Sequence, residues 1–326
     1  MKTLADTQRE WVAQPEATRG HSVFRGVKLS GADVFWLAER VRGKKGGYVG
    51  ALHLERADLT GAHLEGAKLR GAWLIGADLS NAYLEGADLT AVRLQGTTLY
   101  LTHLEGASVR RTWLDNNTNF DDAFVNDRTQ LGDIHWDGVG NVNLTRVHWA
   151  GVSRLGDEYR FRRRTTLEQS ETVVRAYRQL ATQLRAQGMS EVADRFLYRA
   201  NVRQRRVYLR RFQILQYLGS LLLDLISGHG FKPGRSFLTY VLVILAFAAA
   251  FFAIGTGILG IGGHEAINSP VSALVFSVTS FHGRGFFPGD LQLDAGVTVI
   301  AACEAVIGLI IEVSFIATFT QRFFAR

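Results

Sequence analysis

A single cysteine among 326 residues, Cys303, rules out an intrachain disulfide and with it a disulfide-stapled secreted scaffold. Four prolines and 34 dispersed glycines are too few for a collagen-like or proline-rich disordered chain. Charges run through the first twenty positions (Lys2, Asp6, Arg9, Glu10, Glu16, Arg19) and no apolar run follows, so no secretory signal peptide is expected. The chain has no phosphate-cradling glycine loop, dinucleotide fingerprint, metal-ligand spacing or nucleophile triad. The expectation is therefore no enzyme, no cofactor and no bound metal. The balance of 37 Lys+Arg against 30 Asp+Glu, a formal net charge of +7, is an average over three compositions in series.

The first composition repeats every five residues. From Leu54 to Leu114, thirteen consecutive units carry a large aliphatic residue at the same place, with Val109 the one non-leucine. A small residue precedes it by two in most units, as at Ala57, Ala62, Ala67, Ala72, Ala77, Ala82, Ala87 and Ala107. A period of five fits neither an amphipathic helix nor a flat strand. It fits a chain that turns a corner every five residues and points both apolar residues inward on each side. Outer positions such as His63, Lys68, Trp73, Tyr83 and Arg93 vary as solvent-facing positions do. Upstream, Phe24, Leu29 and Val34 keep the step; the insert from Phe35 to Gly50 breaks it and is expected as a loop. Downstream the frame slips by one at Asn116-Asn117, resumes at Phe120 and Val125, and continues weakly at Ile134, Val139, Leu144 and Trp149.

The run resembles the pentapeptide-repeat family, A(D/N)LXX. That resemblance implies a right-handed quadrilateral β-helix with four units per coil, hence about three coils for the thirteen units. Some members of that family are acidic rods that mimic DNA. Ten acids and six bases interleave between Ala51 and Val125, a poor copy of a duplex charged every ~1.7 Å. A structural or oligomerising solenoid is the expectation, with ends that need caps or partners.

The middle is strongly basic: between Arg154 and Arg211 stand fifteen arginines, no lysine and six acids. Thr165 or Thr166 caps a first helix with Leu167, Val173, Val174, Tyr177, Leu180 and Leu184 inward. Gly188 ends it. Ser190 caps a second helix with Val192, Phe196, Val202 and Leu209 inward and Arg195, Arg199, Arg203, Arg206 and Arg210 outward. Some of these arginines are expected to pair with Glu168, Glu171, Glu191 and Asp194. The stretch has no aromatic stacking platform or helix-turn-helix spacing, so nucleic acid is not an expected partner. A juxtamembrane role suits it better, with Arg205, Arg206, Arg210, Arg211, Lys232 and Arg235 facing anionic lipid at about 1 kcal/mol each. Phe212 to Ile226 is apolar on most sides, as a helix at a bilayer interface would be.

The last third reads as a membrane domain. The 25 residues from Phe237 to Ile261 carry no charge, and about 20 suffice to span ~30 Å of hydrocarbon. A second run, 295–320, is as long but holds Glu304 and Glu312, with Gly308 midway on the same helical face. Positive residues flank the outer ends of the pair, so both termini are expected in the cytoplasm. Between the spans, Ser269-Pro270 opens a short apolar helix, and a glycine-bearing stretch follows it. A short helix and irregular backbone between two spans is re-entrant geometry, tolerated at membrane depth only beside a water-filled path or inside protein.

This part is similar to the two-transmembrane potassium-channel pore family, whose filter has the form TxTTVGYGD. Ser277, Val278, Thr279, Ser280 and Phe281 lie on its first five places; Gly283 and Gly285 fall on the two glycines. His282 is extra, Arg284 replaces the aromatic and Phe286 the acid. The second span matches ExxxG…FIA…RF at Glu304, Gly308, Phe315, Ile316, Ala317, Arg322 and Phe323. The resemblance places the filter on Thr279, Ser280, Phe281, His282, Gly283, Arg284, Gly285 and Phe286. It places pore and gating roles on Glu304, Gly308, Glu312 and Phe315, with Gly308 as hinge. The whole order resembles bacterial pentapeptide-repeat ion channels.

The expected organisation is an N-terminal segment (1–21), a repeat β-helix (22–153), an Arg-rich helical linker (154–211), an interfacial helix (212–230) and a pore domain (231–326). The pore domain comprises a first span (237–261), a pore helix (270–280), a filter (280–287) and a second span (295–320). The expected function is an oligomeric, by resemblance tetrameric, ion channel of the bacterial inner membrane that conducts monovalent cations through a non-standard filter. In that reading Arg284 points behind the filter and pairs with an acid such as Glu304. An anion or non-selective pore lined by Arg284, and a membrane-anchored scaffold without conduction, stay open.

Overall fold

The computed structural model describes residues 24–42, 51–136, 142–160, 166–257, 267–283 and 295–323. The chain divides into two compact units, Met1–Arg210 and Arg211–Arg326.

In the first unit the five-residue step becomes a four-sided solenoid. Parallel bridges join residues twenty apart on every side: His53 to Trp73, Asp58 to Asp78, His63 to Tyr83 and Lys68 to Asp88. Within each unit the small residue points in, the bridging residue out and the leucine in, the alternation that extended backbone imposes. Leu54, Leu59, Leu64, Leu74 and their successors are fully buried. The next residue pair turns the corner. Ala62 N–H donates to the Leu59 carbonyl (3.0 Å), closing a tight turn, while Leu59 N–H donates to Asp78 O of the next coil (2.8 Å). The corner needs a left-handed residue, and glycines from Gly61 to Gly106 hold φ between +65° and +74° there. The outward bridging residues are not freely variable surface. They stack coil on coil, as His63–Tyr83–His103–Phe124–His148 along one side, with centroids 4.4–5.0 Å apart. On another side Arg93 lies 4.3 Å over the Trp73 ring and 5.8 Å from that of Trp113.

The coil then lengthens. The step is 21 at Thr98–Asn119 and 22 at Ser108–Gln130. It is also 22 where β1 (Trp113–Leu114) pairs with β2 (His135–Trp136), and it reaches 24 at Asn119–Asn143. The expected slip at Asn116-Asn117 is present, and a second follows near Asn126. At each, a side chain replaces a lost carbonyl: Asp115 Oδ1 accepts from Gly96 N–H (2.8 Å), and Asn126 Oδ1 accepts from Gly106 N–H (3.0 Å). After the second slip Leu131 and Trp136 flank the bridging residues on the leucine side, and Ile134 fills the small inward place rather than the large one. Val139 lies outside the described residues.

Both ends of the coil carry helices. The insert expected as a loop from Phe35 starts inside α1 (Gly31–Arg42), which is opened by Ser30 and Asp33 capping each other. Val34 and Leu37, three apart, are buried on the solenoid core, and a Cβ on Gly31 would stand 1.8 Å from the His63 carbonyl oxygen. At the other end α2 (Asp157–Arg160) leads to a hairpin of α3 (Leu167–Ala186) and α4 (Ser190–Arg210). Thr166 and Gln169 form the capping box of α3. Ala193, Phe196, Ala200 and Val207 are the buried face of α4; Leu209 and Leu167, expected inward, are exposed, and Val202 is half-buried. One apolar core runs from Phe24 through the coils to Ala200, so 154–210 is part of the repeat unit rather than a free linker.

Among the described residues the second unit has four helices: α5 (Ile214–Ser227), α6 (Pro233–Gly255), α7 (Pro270–Phe281) and α8 (Ala295–Phe323). Segments of α6 (Gly234–Gly255) and α8 (Gly296–Ala317) are each long and apolar enough to cross a membrane. Their most apolar windows are only 22% buried, unlike core helices of a soluble domain. Phe251 and Ile254 of α6, Ala273 and Phe276 of α7, and Val297 and Ala301 of α8 form a common apolar centre. A Cβ on Gly255 would stand 2.3 Å from the Ile267 carbonyl, so glycine lets the chain entering α7 touch the end of α6.

Candidate functional site: the short helix between two long ones

Ser269 caps α7 with Ser272 as its capping-box partner, and Pro270 takes the first helical position, as the sequence predicts. The helix has 12 residues, about 18 Å at 1.5 Å each, too short for a ~30 Å layer. Its placement rests on Ser277, which is fully buried. The Ser277 hydroxyl, with one proton to donate, stands within hydrogen-bond reach of two acceptors, the Ile244 carbonyl of α6 (2.9 Å) and Glu304 Oε1 of α8. One side chain therefore ties α7 to both long helices. Glu304 is buried in this junction, and its Oε2 has no hydrogen-bond partner among the described residues.

One turn further along α8, a Cβ on Gly308 would stand 2.2 Å from the Phe281 carbonyl oxygen. Only glycine admits the end of α7 at that distance. Phe281 is buried edge-on to Tyr240 (4.9 Å). His282 closes the helix and spans the same three elements. Its Nδ1 donates to Val278 O (2.8 Å), and its Nε2 stands 3.3 Å from Tyr240 Oη. Glu312 Oε1 also lies 3.3 Å from Nε2. Gly283, at φ +63°, donates its N–H to Ser280 O and ends the helix in left-handed backbone.

Of the residues assigned to a filter, Thr279, Ser280, Phe281, His282 and Gly283 sit together at this C-terminal end. Arg284, Gly285 and Phe286 lie outside the described residues. Glu304, Gly308 and Ile311 share the buried face of α8; Glu312 and Phe315 are half-buried. The basic residues assigned to lipid are Arg206 and Arg210 at the end of the first unit, and Arg211, Lys232 and Arg235 in the second, all exposed; Arg205 is half-buried. Arg235 stands 3.6 Å from Asp224.

Sequence reasoning missed a second cluster, inside the first unit. Arg195, Arg199 and Arg203, expected outward, turn toward the end of the solenoid. Glu158, almost fully buried, accepts from Arg199 Nε (2.7 Å) and Nη2 (3.0 Å), from Arg203 Nη2, and from Tyr177 Oη (2.6 Å). Tyr177 Oη in turn accepts from Leu155 N–H (2.9 Å), and Arg195 donates to Val152 O (3.4 Å). Burial alone would raise the Glu158 carboxyl, but hydrogen bonds from Arg199, Arg203 and Tyr177 hold it below the usual glutamate range. Its neighbour Asp157 is pushed up by burial, against the opposing pull of Leu131 N–H and Arg110. Of the acids expected to pair with this arginine block, Asp194 does so, with Arg185 at 2.5 Å.

Comparison with known proteins agrees on the repeats. The family model "Pentapeptide repeats (8 copies)" matches residues 52–74, 74–106 and 82–122. The chain carries a pentapeptide-repeat solenoid, followed by a helical region with two helices of membrane-spanning length. No curated protein matches it. Among solved structures it is similar to HetL, a pentapeptide repeat protein involved in heterocyst differentiation regulation from Nostoc sp. strain PCC 7120. Identity is 25% and the TM-score 0.17, over 27% of this chain and 44% of that one, so the chain spans less than half of HetL's length. A pentapeptide repeat protein from the Arabidopsis thaliana thylakoid lumen has 20% identity and a TM-score of 0.22, over 38% of this chain and 76% of its own. Rfr23 from Cyanothece 51142 has 21% identity and a TM-score of 0.20, over 44% of this chain and 98% of its own.

Proposed function

We propose that the second unit assembles with copies of itself, four by resemblance, into an ion-conducting pore of the bacterial inner membrane that carries the repeat unit on its cytoplasmic side. The observation that carries this reading is the 12-residue α7, fixed by Ser277 and Glu304 between two helices long enough to span. An element that short, held among spanning helices, is re-entrant geometry, and such an element stands beside a wet path or inside protein. Two spanning helices enclose no path, so the path belongs to a ring of copies.

Further features support it. Val299, Val306, Leu309, Val313 and Ile316 form an exposed apolar side of α8 opposite the face that holds Glu304 and Gly308, available to lipid or to another copy. The C-terminal end of α7 carries the negative end of its helix dipole, which favours a cation beside Thr279 to Gly283. The second oxygen of Glu304 supports the bracing role for Arg284: a guanidinium on Oε2 would complete the junction and keep four positive charges off the axis. Exposed Phe212, Leu215 and Leu225 on or beside α5 suit an interfacial helix, with Arg206, Arg210, Arg211, Lys232 and Arg235 at the headgroups.

Liposomes holding the full-length protein, loaded under opposed K⁺ and Cl⁻ gradients, test the proposal. Cation flux is the expected result. Flux that follows Cl⁻ makes Arg284 a lining residue, and no flux of either ion makes the chain an anchored scaffold. With Arg284→Gln, bracing predicts loss of the stable oligomer, whereas lining predicts a change in ion preference.

A further inference from the structure

Three histidines of the solenoid precede a glutamate by two residues: His53–Glu55, His63–Glu65 and His103–Glu105. The first two pairs close, with Nδ1 to Oε1 distances of 2.8 and 2.9 Å. The third does not. His103 Nδ1 stands 3.5 Å from Glu105 Oε1 and 4.0 Å from Glu85 Oε1, and makes a hydrogen bond to neither. Glu85 comes from the preceding coil, twenty residues earlier, so two carboxylates from adjacent turns face one imidazole. All three donor atoms lie within 4.8 Å of one another.

Two observations separate this group from an ordinary surface cluster. Glu85 Oε2 and Glu105 Oε2 are both inaccessible to water and lack a hydrogen-bond partner among the described residues. Among the described residues no lysine or arginine pairs with either carboxylate, and His103 is the one charged or chargeable group beside them. In addition, the His103 ring is fixed between Tyr83 (5.0 Å, 11° between planes) and Phe124 (4.6 Å, 12°), which holds Nδ1 toward the two acids. A tetrahedral ion with ligands at about 2.1 Å places its donors about 3.4 Å apart, so torsions of the two glutamates suffice to close the set.

We infer that Glu85, His103 and Glu105 form a binding site for a divalent first-row transition ion of the Zn²⁺ type, which staples adjacent coils of the solenoid. One imidazole and two carboxylates suit such an ion, and three protein ligands leave its fourth position to water. The ion supplies positive charge beside the two carboxylates. This site is independent of the proposed pore.

Isothermal titration of chelator-treated full-length protein in detergent with ZnCl₂, and visible absorption on adding Co²⁺, test it. The expected result is one saturable equivalent per chain, with the visible bands of four-coordinate Co²⁺. His103→Phe keeps an aromatic ring in the ladder and should abolish that equivalent. Glu105→Gln should weaken it by at least about tenfold, the least that disturbing a metal shell costs. His63→Phe should leave it unchanged. Should His103→Phe fail to fold, the Glu85→Gln/Glu105→Gln double variant, which spares the stack, must lose the equivalent instead. Equal stoichiometry in wild type and these variants, or no saturable binding, overturns the assignment.

Discussion

Replacing Glu158 with glutamine removes one charge where the last coil of the solenoid meets the helical hairpin. The carboxylate accepts from Tyr177, from both arms of Arg199 and from Arg203, and its side chain is 3% exposed. Glutamine keeps the shape but offers one acceptor oxygen and turns an amide toward a guanidinium. Breaking a fully buried ion pair costs about 3–5 kcal/mol. Here Arg199 and Arg203 remain 22% exposed and can recruit water, so we expect about 2–3 kcal/mol. The loss should fall on docking of α3 and α4 rather than on the coils, whose ladder does not involve Glu158. Hydrogen–deuterium exchange of the full chain reads this directly. Amides in 167–210 should exchange about 30- to 150-fold faster, because each 1.4 kcal/mol is a factor of ten, while those of 54–109 keep their protection. A rise below about threefold in the hairpin, or an equal rise in both regions, would mean that Glu158 does not hold the hairpin to the last coil.

Other consequences follow from the same contacts. Because Glu158 sits below its ordinary range, the folded state favours its charged form; its stabilisation is present above the unfolded value of about 4.3 and fades as pH falls through the lower folded value. Hairpin protection should therefore weaken on acidification in wild type and change less in Glu158→Gln. Asp157, pushed upward, has the opposite sign: its charged form costs stability as pH rises through the folded value, so the gain or loss from Asp157→Asn should shift in favour of the variant toward neutral pH. In the coils, buried Thr102 donates to the Leu79 carbonyl one turn earlier (2.8 Å); Thr102→Val keeps the volume but removes the donor, and should cost about 1–2 kcal/mol in thermal unfolding. Gly308→Ala puts a methyl against the Phe281 carbonyl and should cost about 1–3 kcal/mol in the detergent-solubilised protein, with ion flux falling alongside.

The coils were legible because one large residue recurs on every side, and a step of five has few physical solutions. The second slip was hidden by Ile134, an apolar residue at the expected place although the register there had moved by one. The amino-terminal helix was hidden by Val34, which satisfies both the step of five and a helical i,i+3 pair with Leu37. The inward arginines could not be read from a helical wheel, since the carboxylate that draws Arg199 lies 41 residues away. The aromatic ladders were readable in principle: His63, Tyr83 and His103 recur at twenty, the length of one coil. In the second unit the caps of α7 were plain from Ser269-Pro270. The tie from Ser277 to Glu304 depends on two helices meeting, and no local pattern announces it.

Planar-bilayer recording of the purified full-length protein under asymmetric KCl asks whether the second unit conducts ions. Discrete current steps that reverse on the K⁺ side of zero are expected, abolished when Ser277→Ala unties the short helix from its neighbours. A silent bilayer carrying folded, inserted protein, or steps that reverse on the Cl⁻ side, would contradict cation conduction by this unit.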